Sequence, residues 1–428
     1  MSVKLGTEER IEFLKNFDPE IAELLREEEI KQKKTIGLIA SENVASPLSI
    51  CLEGSIFTNK NTEGYPGKRY VGGTANEDKV ELIAIERLKK LFGCEHANLQ
   101  SGNATIANSA VFMGLLNPGD TVMSMSLNDG GHLSHGAKFH FSGKFYNVIQ
   151  YGVKKTDECI DMEQVHKMAL EYKPKMIVCG GSAYSRLIDY AEFRKIADEI
   201  GAYLWVDAAH IIGLIAGKVI PSPVPYADVV TFSTQKTLRG PRGCGIILCK
   251  EELKNKIDRG VFPGMQGGPK ADMIAARAVL FKECMTKEYQ KYQIQVVKNA
   301  KALVQGCMDE GLRIVANGTD THLALVKVID FIESGREAEL LLESVGIITN
   351  KNLIPFDELS SNLTSGIRIG SALMTTRGAK EPEMRRIGQL IGMTLKCKDN
   401  KTELDKIRTE VDTITDRYPM FSEEWICR

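Results

Sequence analysis

The segment YLWVDAAH at residues 203–210 and the segment VVTFSTQK at residues 229–236 share one pattern. Each begins with a short apolar run that is typical of a buried strand, and each continues into polar side chains. The first run is followed by Asp207 and His210, and the second by Lys236. Because ligand sites in open parallel sheets lie at the carboxyl ends of the strands, we expect these three side chains to share one sheet edge.

The wider region from residue 80 to residue 250 alternates between short apolar runs and amphipathic runs. This alternation indicates an α/β domain with a mainly parallel sheet. We predict strands at 121–125, 176–179, 203–206, 229–232 and 245–248, and helices at 79–92, 106–116 and 191–200.

Beyond residue 287 the pattern changes to a smaller α+β domain, with helices at 296–310, 338–344 and 381–396 and a strand at 323–327. We place the boundary between the two domains inside a continuous helix within 284–294. The predicted organisation is an N-terminal helical arm (1–45), a large α/β domain (46–286) and a small C-terminal α+β domain (287–428).

Composition excludes several classes of protein. The 428 residues include 55 Lys and Arg against 56 Asp and Glu, a net charge of -1 that argues against binding to nucleic acid or anionic membrane. No apolar run approaches the roughly 20 residues of a membrane span. The charged segment 1–29 lacks the apolar region of a secretory signal. The ten cysteines show no CxxC spacing, so we expect free thiols, no metal site and a cytoplasmic protein.

Further polar residues follow the other predicted strands. Ser182 follows the strand at 176–179, and His132 lies in the glycine-rich segment that follows the strand at 121–125. The segment SGNAT at 101–105 opens a helix, and free N–H groups at a helix start favour an anion.

Together these features fit pyridoxal phosphate. In such a site Lys236 forms the Schiff base and Asp207 keeps the ring nitrogen protonated. Each feature alone has an ordinary explanation, since an Asp at a strand end is more often a helix cap. The prediction therefore depends on the combination.

These residues lie in longer segments that resemble the serine hydroxymethyltransferases, a family with the aspartate-aminotransferase (type I PLP) fold. The resemblance runs from about Glu28 to Thr394 and includes IASEN (39–43), EGYPGKRY (63–70), GGHLSHG (130–136), VDAAH (206–210), KTLRGPRG (236–243), FPGMQGGP (262–269) and SGIRIG (365–370). It implies a mainly parallel seven-stranded sheet and a homodimer or dimer of dimers. The implied reaction interconverts L-serine plus tetrahydrofolate with glycine plus 5,10-methylenetetrahydrofolate.

The resemblance also implies roles for individual residues. Lys236 would carry the cofactor, Asp207 would pair with its ring nitrogen, and His132 would stack on the ring. Arg368, helped by Ser41, would hold the amino-acid carboxylate. Glu63 of the partner subunit would handle the proton of the serine hydroxyl or of the folate-bound one-carbon unit. The other implied cofactor contacts are Asn61, Asn103, Ala104, Thr105, Ser182, His210, Gln235, Gly267 and Gly268, with the last two reaching across the dimer interface. The implied substrate and folate contacts are Tyr70 (also counted as catalytic), Val71, Leu127, Leu133, Phe262 and Asn352.

Five departures from the family pattern fall in this predicted site. Gln235 stands for the usual His before the lysine, Asn103 for the second Ser of Ser-Gly-Ser, and Asn61 for the first Tyr of Tyr-x-Glu-Gly-Tyr-Pro. Val71 stands for the second Tyr of Arg-Tyr-Tyr-Gly-Gly, and GSAL at 370–373 stands for Gly-Thr-Pro-Ala. We expect weaker but retained cofactor binding, because neutral donors remain. We also expect an altered carboxylate pocket, because Val71 removes a phenolic donor.

Three functions remain open at this point. A working hydroxymethyltransferase is favoured by the presence of Glu63, Tyr70 and Asn352. A relative that performs retro-aldol or transaldol chemistry on threonine-like or α-methyl amino acids is favoured by Val71 and Asn61. The third is a non-catalytic PLP-fold binding protein. The presence of all the implied catalytic residues argues against it.

Overall fold

The computed structural model describes residues 7–421, with side chains from residue 10 onward. Within this range, one seven-stranded sheet forms the centre of the larger part of the molecule. Its spatial order is His96–Asn98, Gly245–Cys249, Val229–Ser233, Tyr203–Asp207, Met176–Cys179, Thr121–Met125 and Asn147–Tyr151. Gly245–Cys249 is antiparallel to both of its neighbours, and the other six strands run in one direction. The mainly parallel sheet of the type I PLP fold is therefore confirmed.

Helices cover both faces of this sheet, which explains why its central strands are buried and mostly apolar along their length. Along Met176–Cys179, Ile177 and Cys179 pack into the core on one face, whereas Met176 and Val178 pack into the core on the other. Successive side chains of a strand point to opposite faces, so a strand that is covered on both sides needs an uninterrupted apolar run. The helices that precede residue 286 are Thr7–Lys15, Pro19–Lys33, Pro47–Ile50, Ala75–Phe92, Ala104–Leu115, Phe141–Phe145, Met162–Tyr172, Tyr190–Ile200, Ile212–Ala216, Lys254–Arg259 and Ala271–Cys284.

A second hydrophobic core lies in the C-terminal part. It surrounds an antiparallel sheet with the order Arg313–Ile314, Leu323–Lys327, Gly366–Gly370 and Asn350–Asn352. The helices here are Lys287–Asp309, Gly335–Ser344, Ala372–Thr376, Glu381–Lys396 and Lys401–Arg417. The N-terminal segment contributes to this core, because strand Ile36–Gly37 pairs in parallel with Ile347–Ile348 and Ile36 is fully buried.

The predicted strands 121–125, 176–179 and 323–327 have the observed bounds, and the other predicted strands each extend one residue further. Two strands of the large sheet, His96–Asn98 and Asn147–Tyr151, were not predicted.

The prediction of a continuous helix within 284–294 is wrong. One helix ends at Cys284, and the next begins after Thr286, whose hydroxyl accepts a hydrogen bond from the Tyr289 N–H at 3.2 Å and caps it.

The division of the chain into domains at residues 45 and 286 stays a prediction.

None of the helices in the described range combines the length and the apolar character that a bilayer span requires.

Candidate active site

Asp207 ends strand Tyr203–Asp207 and is held by three donors. Its Oδ2 atom accepts hydrogen bonds from Asn108 Nδ2 at 2.8 Å and from His135 Nε2 at 2.9 Å, and its Oδ1 atom accepts one from the Ala209 N–H at 3.0 Å. Burial alone would raise the pKa of Asp207, but the hydrogen bond and charge of His135 and the charge of Lys236 lower it below the usual range. The carboxylate is therefore ionised, as a partner for a protonated ring nitrogen must be.

His132 follows the strand Thr121–Met125 through the turn at Gly130 and Gly131. Gly130 has a φ of 110°, and a Cβ atom at Gly131 would collide with the carbonyl of Met125. The Nδ1 atom of His132 accepts a hydrogen bond from the Ser134 N–H at 3.2 Å and lies 2.7 Å from Ser134 Oγ. Burial, and then the charge of His135, lower the pKa of His132 to about 4. The ring is therefore neutral, with its proton on Nε2.

Lys236 follows the strand Val229–Ser233 and is buried. Burial lowers the pKa of its amine to about 8, against the opposing charge of Asp207, and the charge of Arg368 adds to the lowering. The amine forms no hydrogen bond with another residue of the described range. Its backbone carbonyl accepts one from Asn43 Nδ2 at 3.0 Å. A buried amine with this pKa is suited to nucleophilic attack near neutral pH.

Arg368 projects from the C-terminal sheet toward the large one. Its Nη1 atom donates to the carbonyl of Ser182 at 2.7 Å, and its Nε atom donates to Asn350 Oδ1 at 3.2 Å. Burial lowers its pKa to about 10, so the guanidinium stays charged at neutral pH. Ser41 lies on a neighbouring segment, since the Gly370 N–H donates to the Leu38 carbonyl at 2.7 Å.

The helix Ala104–Leu115 begins two residues earlier than predicted. Asn103 caps it, because its Oδ1 atom accepts a hydrogen bond from the Ile106 N–H at 2.9 Å. The first N–H groups of a helix have no partner within it. Ser101 Oγ, two residues before Asn103, and Gln235 Oε1, next to Lys236, are buried without a partner in the described chain. A free hydroxyl beside free backbone N–H groups fits a phosphate group.

A second group of predicted residues surrounds the hairpin Gly64–Tyr65 and Lys68–Arg69. Buried Arg69 fixes this hairpin through ion pairs with Asp78 and Glu81. The group consists of Asn61, Glu63, Tyr70, Phe262, Gly267 and Gly268. Asn61 Oδ1 accepts from the Glu63 N–H at 3.0 Å, and a Cβ atom at Gly268 would lie 3.0 Å from both Asn61 Oδ1 and Glu63 Cγ.

Tyr70 in this group packs edge-on against Phe262, with ring centroids 5.5 Å apart, and leaves 75% of its surface exposed. Across residues 10–421, no hydrogen bond or ion pair joins this second group to Lys236 or Asp207. Within the described residues of one chain this second group therefore has no direct polar contact with Lys236 or Asp207, although Gln266, beside Gly267, accepts a hydrogen bond from the Gly102 N–H at 3.0 Å near the helix start.

The remaining predicted residues lie in loops or at strand ends. Leu127 and Leu133 belong to short turns on either side of His132, Asn352 ends the strand Asn350–Asn352, and Val71 follows the hairpin. Leu133 is 43% exposed, and its role in a folate pocket stays a prediction.

Asn108, Ser134 and His322 were not assigned roles from the sequence. Asn108 Nδ2 donates both to Asp207 and to Ser134 Oγ at 2.8 Å, which links the side chains of Asp207 and His132. The sequence contained one indication for Asn108, because an asparagine inside a mostly apolar helix needs a buried partner.

His132, His135 and Asp207 offer ligand atoms within 4.8 Å of one another. The expectation of no metal site stays a prediction.

Comparison with known proteins relates this geometry to a family. The model of a family described as serine hydroxymethyltransferase matches residues 14–391. A serine hydroxymethyltransferase of Coprothermobacter proteolyticus is 50% identical over 412 residues, which cover 96% of this chain and 99% of the relative. The chain belongs to the serine hydroxymethyltransferase family, whose members use pyridoxal phosphate to interconvert L-serine plus tetrahydrofolate with glycine plus 5,10-methylenetetrahydrofolate.

Proposed function

We propose that the serine–glycine interconversion takes place at the carboxyl edge of the seven-stranded sheet, where Asp207 ends one strand and Lys236 follows the end of the neighbouring strand. The observation that carries this proposal is the pairing of an ionised buried carboxylate with a buried amine of lowered pKa on adjacent strands. Functional sites are where such perturbed groups concentrate.

The residues at this edge fit pyridoxal phosphate. Lys236 would hold the aldehyde carbon, Asp207 the ring nitrogen, and His132 the ring face. Asn103, Ala104 and Thr105 at the helix start, with Ser101 and Gln235, would hold the phosphate. Ser182 and His210 would lie on the ring-hydroxyl side. When bound, this cofactor withdraws electrons from the amino-acid α-carbon and so stabilises negative charge there.

Arg368 and Ser41 are proposed to bind the amino-acid carboxylate. Only Nε and Nη1 of Arg368 donate to residues of the described chain, which leaves N–H groups for a two-point contact with a carboxylate. The charge of this guanidinium also lowers the pKa of Lys236. A larger fraction of this amine is therefore neutral near neutral pH than for an exposed lysine.

Glu63 is proposed to hold and move the proton of the serine hydroxyl. Phe262 and Tyr70, with Leu127, Leu133 and Asn352, would line the folate pocket. No polar contact joins Glu63 to Lys236 within the described chain, and Tyr70 is exposed, so we infer that a second copy brings its Glu63 to this edge. The exposed apolar side chains Leu48, Ile56 and Leu82 offer further surface for such contact. Gly267 and Gly268 would reach the phosphate across the same interface, in a homodimer or dimer of dimers.

We further propose that the protein works in the cytoplasm. Each of the nine cysteines that the structure describes is a free thiol, as expected in a reducing compartment.

To test the proposed site, we would measure the products of the reaction and the kcat and KM of variants at the proposed site residues. L-Serine and tetrahydrofolate should give glycine and 5,10-methylenetetrahydrofolate in equal amounts. The Asp207→Asn variant should lose most of kcat, whereas Arg368→Lys should mainly raise the KM for serine, because a lysine cannot form the two-point contact. Asp198→Asn, on the exposed face of helix Tyr190–Ile200, is the matched control and should behave as the wild type. Glycine formation at the wild-type rate in Asp207→Asn would place the site elsewhere.

A further inference from the structure

Two histidines from different parts of the chain meet beside the proposed site. His210 Nδ1 lies 3.4 Å from His322 Nε2, and the rings are nearly parallel, with centroids 5.5 Å apart. His322 Nε2 also lies 3.1 Å from the carbonyl oxygen of Ala40. Both histidines and Ala40 are buried.

These distances determine where the protons lie. A carbonyl oxygen only accepts hydrogen bonds, so His322 Nε2 must carry a hydrogen to face Ala40. His210 Nδ1 then faces the same N–H group and must be a bare acceptor, which puts the His210 proton on Nε2. His322 Nδ1 is buried without a partner in the described chain, which costs less for a bare nitrogen than for an N–H group.

Burial keeps both rings neutral, so that each has one proton to place. Burial, and then the charges of Arg368 and Lys236, lower the pKa of His322 to about 3. The same causes, burial first, lower the pKa of His210 well below its ordinary value.

His322 also connects the elements that would bind the amino-acid carboxylate. It immediately precedes the strand Leu323–Lys327, and its carbonyl accepts a hydrogen bond from the Ser371 N–H at 2.9 Å, just beyond the strand that carries Arg368. Ala40 is the neighbour of Ser41. A Cβ atom at Gly370 would lie 2.7 Å from Ala40 Cα, so the strand of Arg368 packs directly against this segment.

We propose that His322 is a positioning residue that locks His210 in the Nε2–H form and holds Ala40 and Ser41 beside Arg368. His210 then offers a hydrogen-bond donor to the site, and the carboxylate-binding segment keeps its place when a substrate arrives. The inference rests on the proposed location of the site at His210 and Arg368.

Two variants separate the hydrogen bond from simple packing. His322→Gln can place an amide N–H close to the position of Nε2, whereas His322→Leu fills the space without a donor. ¹⁵N-histidine NMR of the full-length holoenzyme reports which ring nitrogen carries the proton. The chain has only seven histidines, and His210→Asn identifies the signal of His210.

We expect a bare Nδ1 on His210 in the wild type and in His322→Gln, and a mixture of both forms in His322→Leu. The serine KM should rise about three- to tenfold in His322→Leu, more than kcat falls, and should recover in His322→Gln. A protonated Nδ1 on His210 in the wild type would overturn the proposal, even if the leucine variant does not fold. An unchanged His210 signal in His322→Leu would also overturn it. Because the NMR readout needs no turnover, a wrong assignment of the reaction would leave this result intact.

Discussion

The Nε2 atom of His135 lies 2.9 Å from the Oδ2 atom of Asp207, and both side chains are buried. Together with the hydrogen bond from Asn108, this contact holds the carboxylate ionised within the protein itself. The pKa of Asp207 is lower in the folded chain than the value of about 3.9 in an unfolded one. The contact therefore stabilises the fold above about pH 4, and this contribution is lost as the pH falls toward the folded pKa.

Removing the His135 donor should destabilise the cofactor-free protein in a pH-dependent way. His135→Leu is expected to lower the free energy of unfolding by about 1.5–3 kcal/mol at pH 7, the usual range for a hydrogen bond to a charged group. His135→Gln, which can still donate, should lose less. Urea unfolding between pH 7 and pH 3 measures both variants. The difference between His135→Leu and the wild type should narrow below about pH 4, and a difference that stays constant would mean that only packing was lost.

The pKa of Lys236, about 8, predicts the pH dependence of cofactor attachment. The neutral amine is the nucleophile, so the rate at which pyridoxal phosphate attaches to the cofactor-free protein should rise with pH and level off above about 8. Stopped-flow absorbance measures this rate. Lys236→Ala should show no covalent attachment, whereas Lys195→Ala, at an exposed lysine, should behave as the wild type. Borohydride reduction and peptide mapping that put the pyridoxyl group on another lysine would disprove the assignment.

Among the five departures from the family pattern, Val71 has the most direct bearing on which substrate the protein prefers. If it replaces a phenolic donor to the substrate carboxylate, Val71→Tyr should tighten glycine binding by about one hydrogen bond. The larger side chain should also disfavour α-methylserine and allo-threonine relative to serine. The measurement is kcat/KM for the three amino acids in both proteins, with and without tetrahydrofolate. Unchanged ratios among the three would show that Val71 is a neutral replacement.

The central strands of the fold could be predicted because each is a short apolar run covered on both faces. The two unpredicted strands lie at the edges of the sheet. His96–Asn98 has only three residues, and its polar His96 and Asn98 side chains are buried because both bond to Asp258. Asn147–Tyr151 is buried at only one of its five positions. Edge strands lack the continuous apolar run that marks central ones, so composition does not reveal them.

The proposed site was predictable where a residue follows a strand or belongs to a family motif. Asn108 and His322 fall outside both cases, since their partners Asp207 and His210 lie 99 and 112 positions away in the chain. Such pairings depend on how strands are ordered in space, which a local pattern does not specify.

We propose above that two chains together build each active site, and mixed dimers test this proposal directly. Glu63→Gln and Lys236→Ala should each be almost inactive alone. After the two variants are mixed, unfolded and refolded together, half of the dimers should be mixed, and each mixed dimer should hold one site with both native residues.

The measurement is the rate of serine-to-glycine conversion in the co-refolded sample, against each variant refolded alone. We expect recovery of about one quarter of the wild-type activity, because one of four sites is intact on average. No recovery, from a co-refolded sample that contains mixed dimers, would show that Glu63 and Lys236 act within the same chain and would contradict the proposed two-chain site.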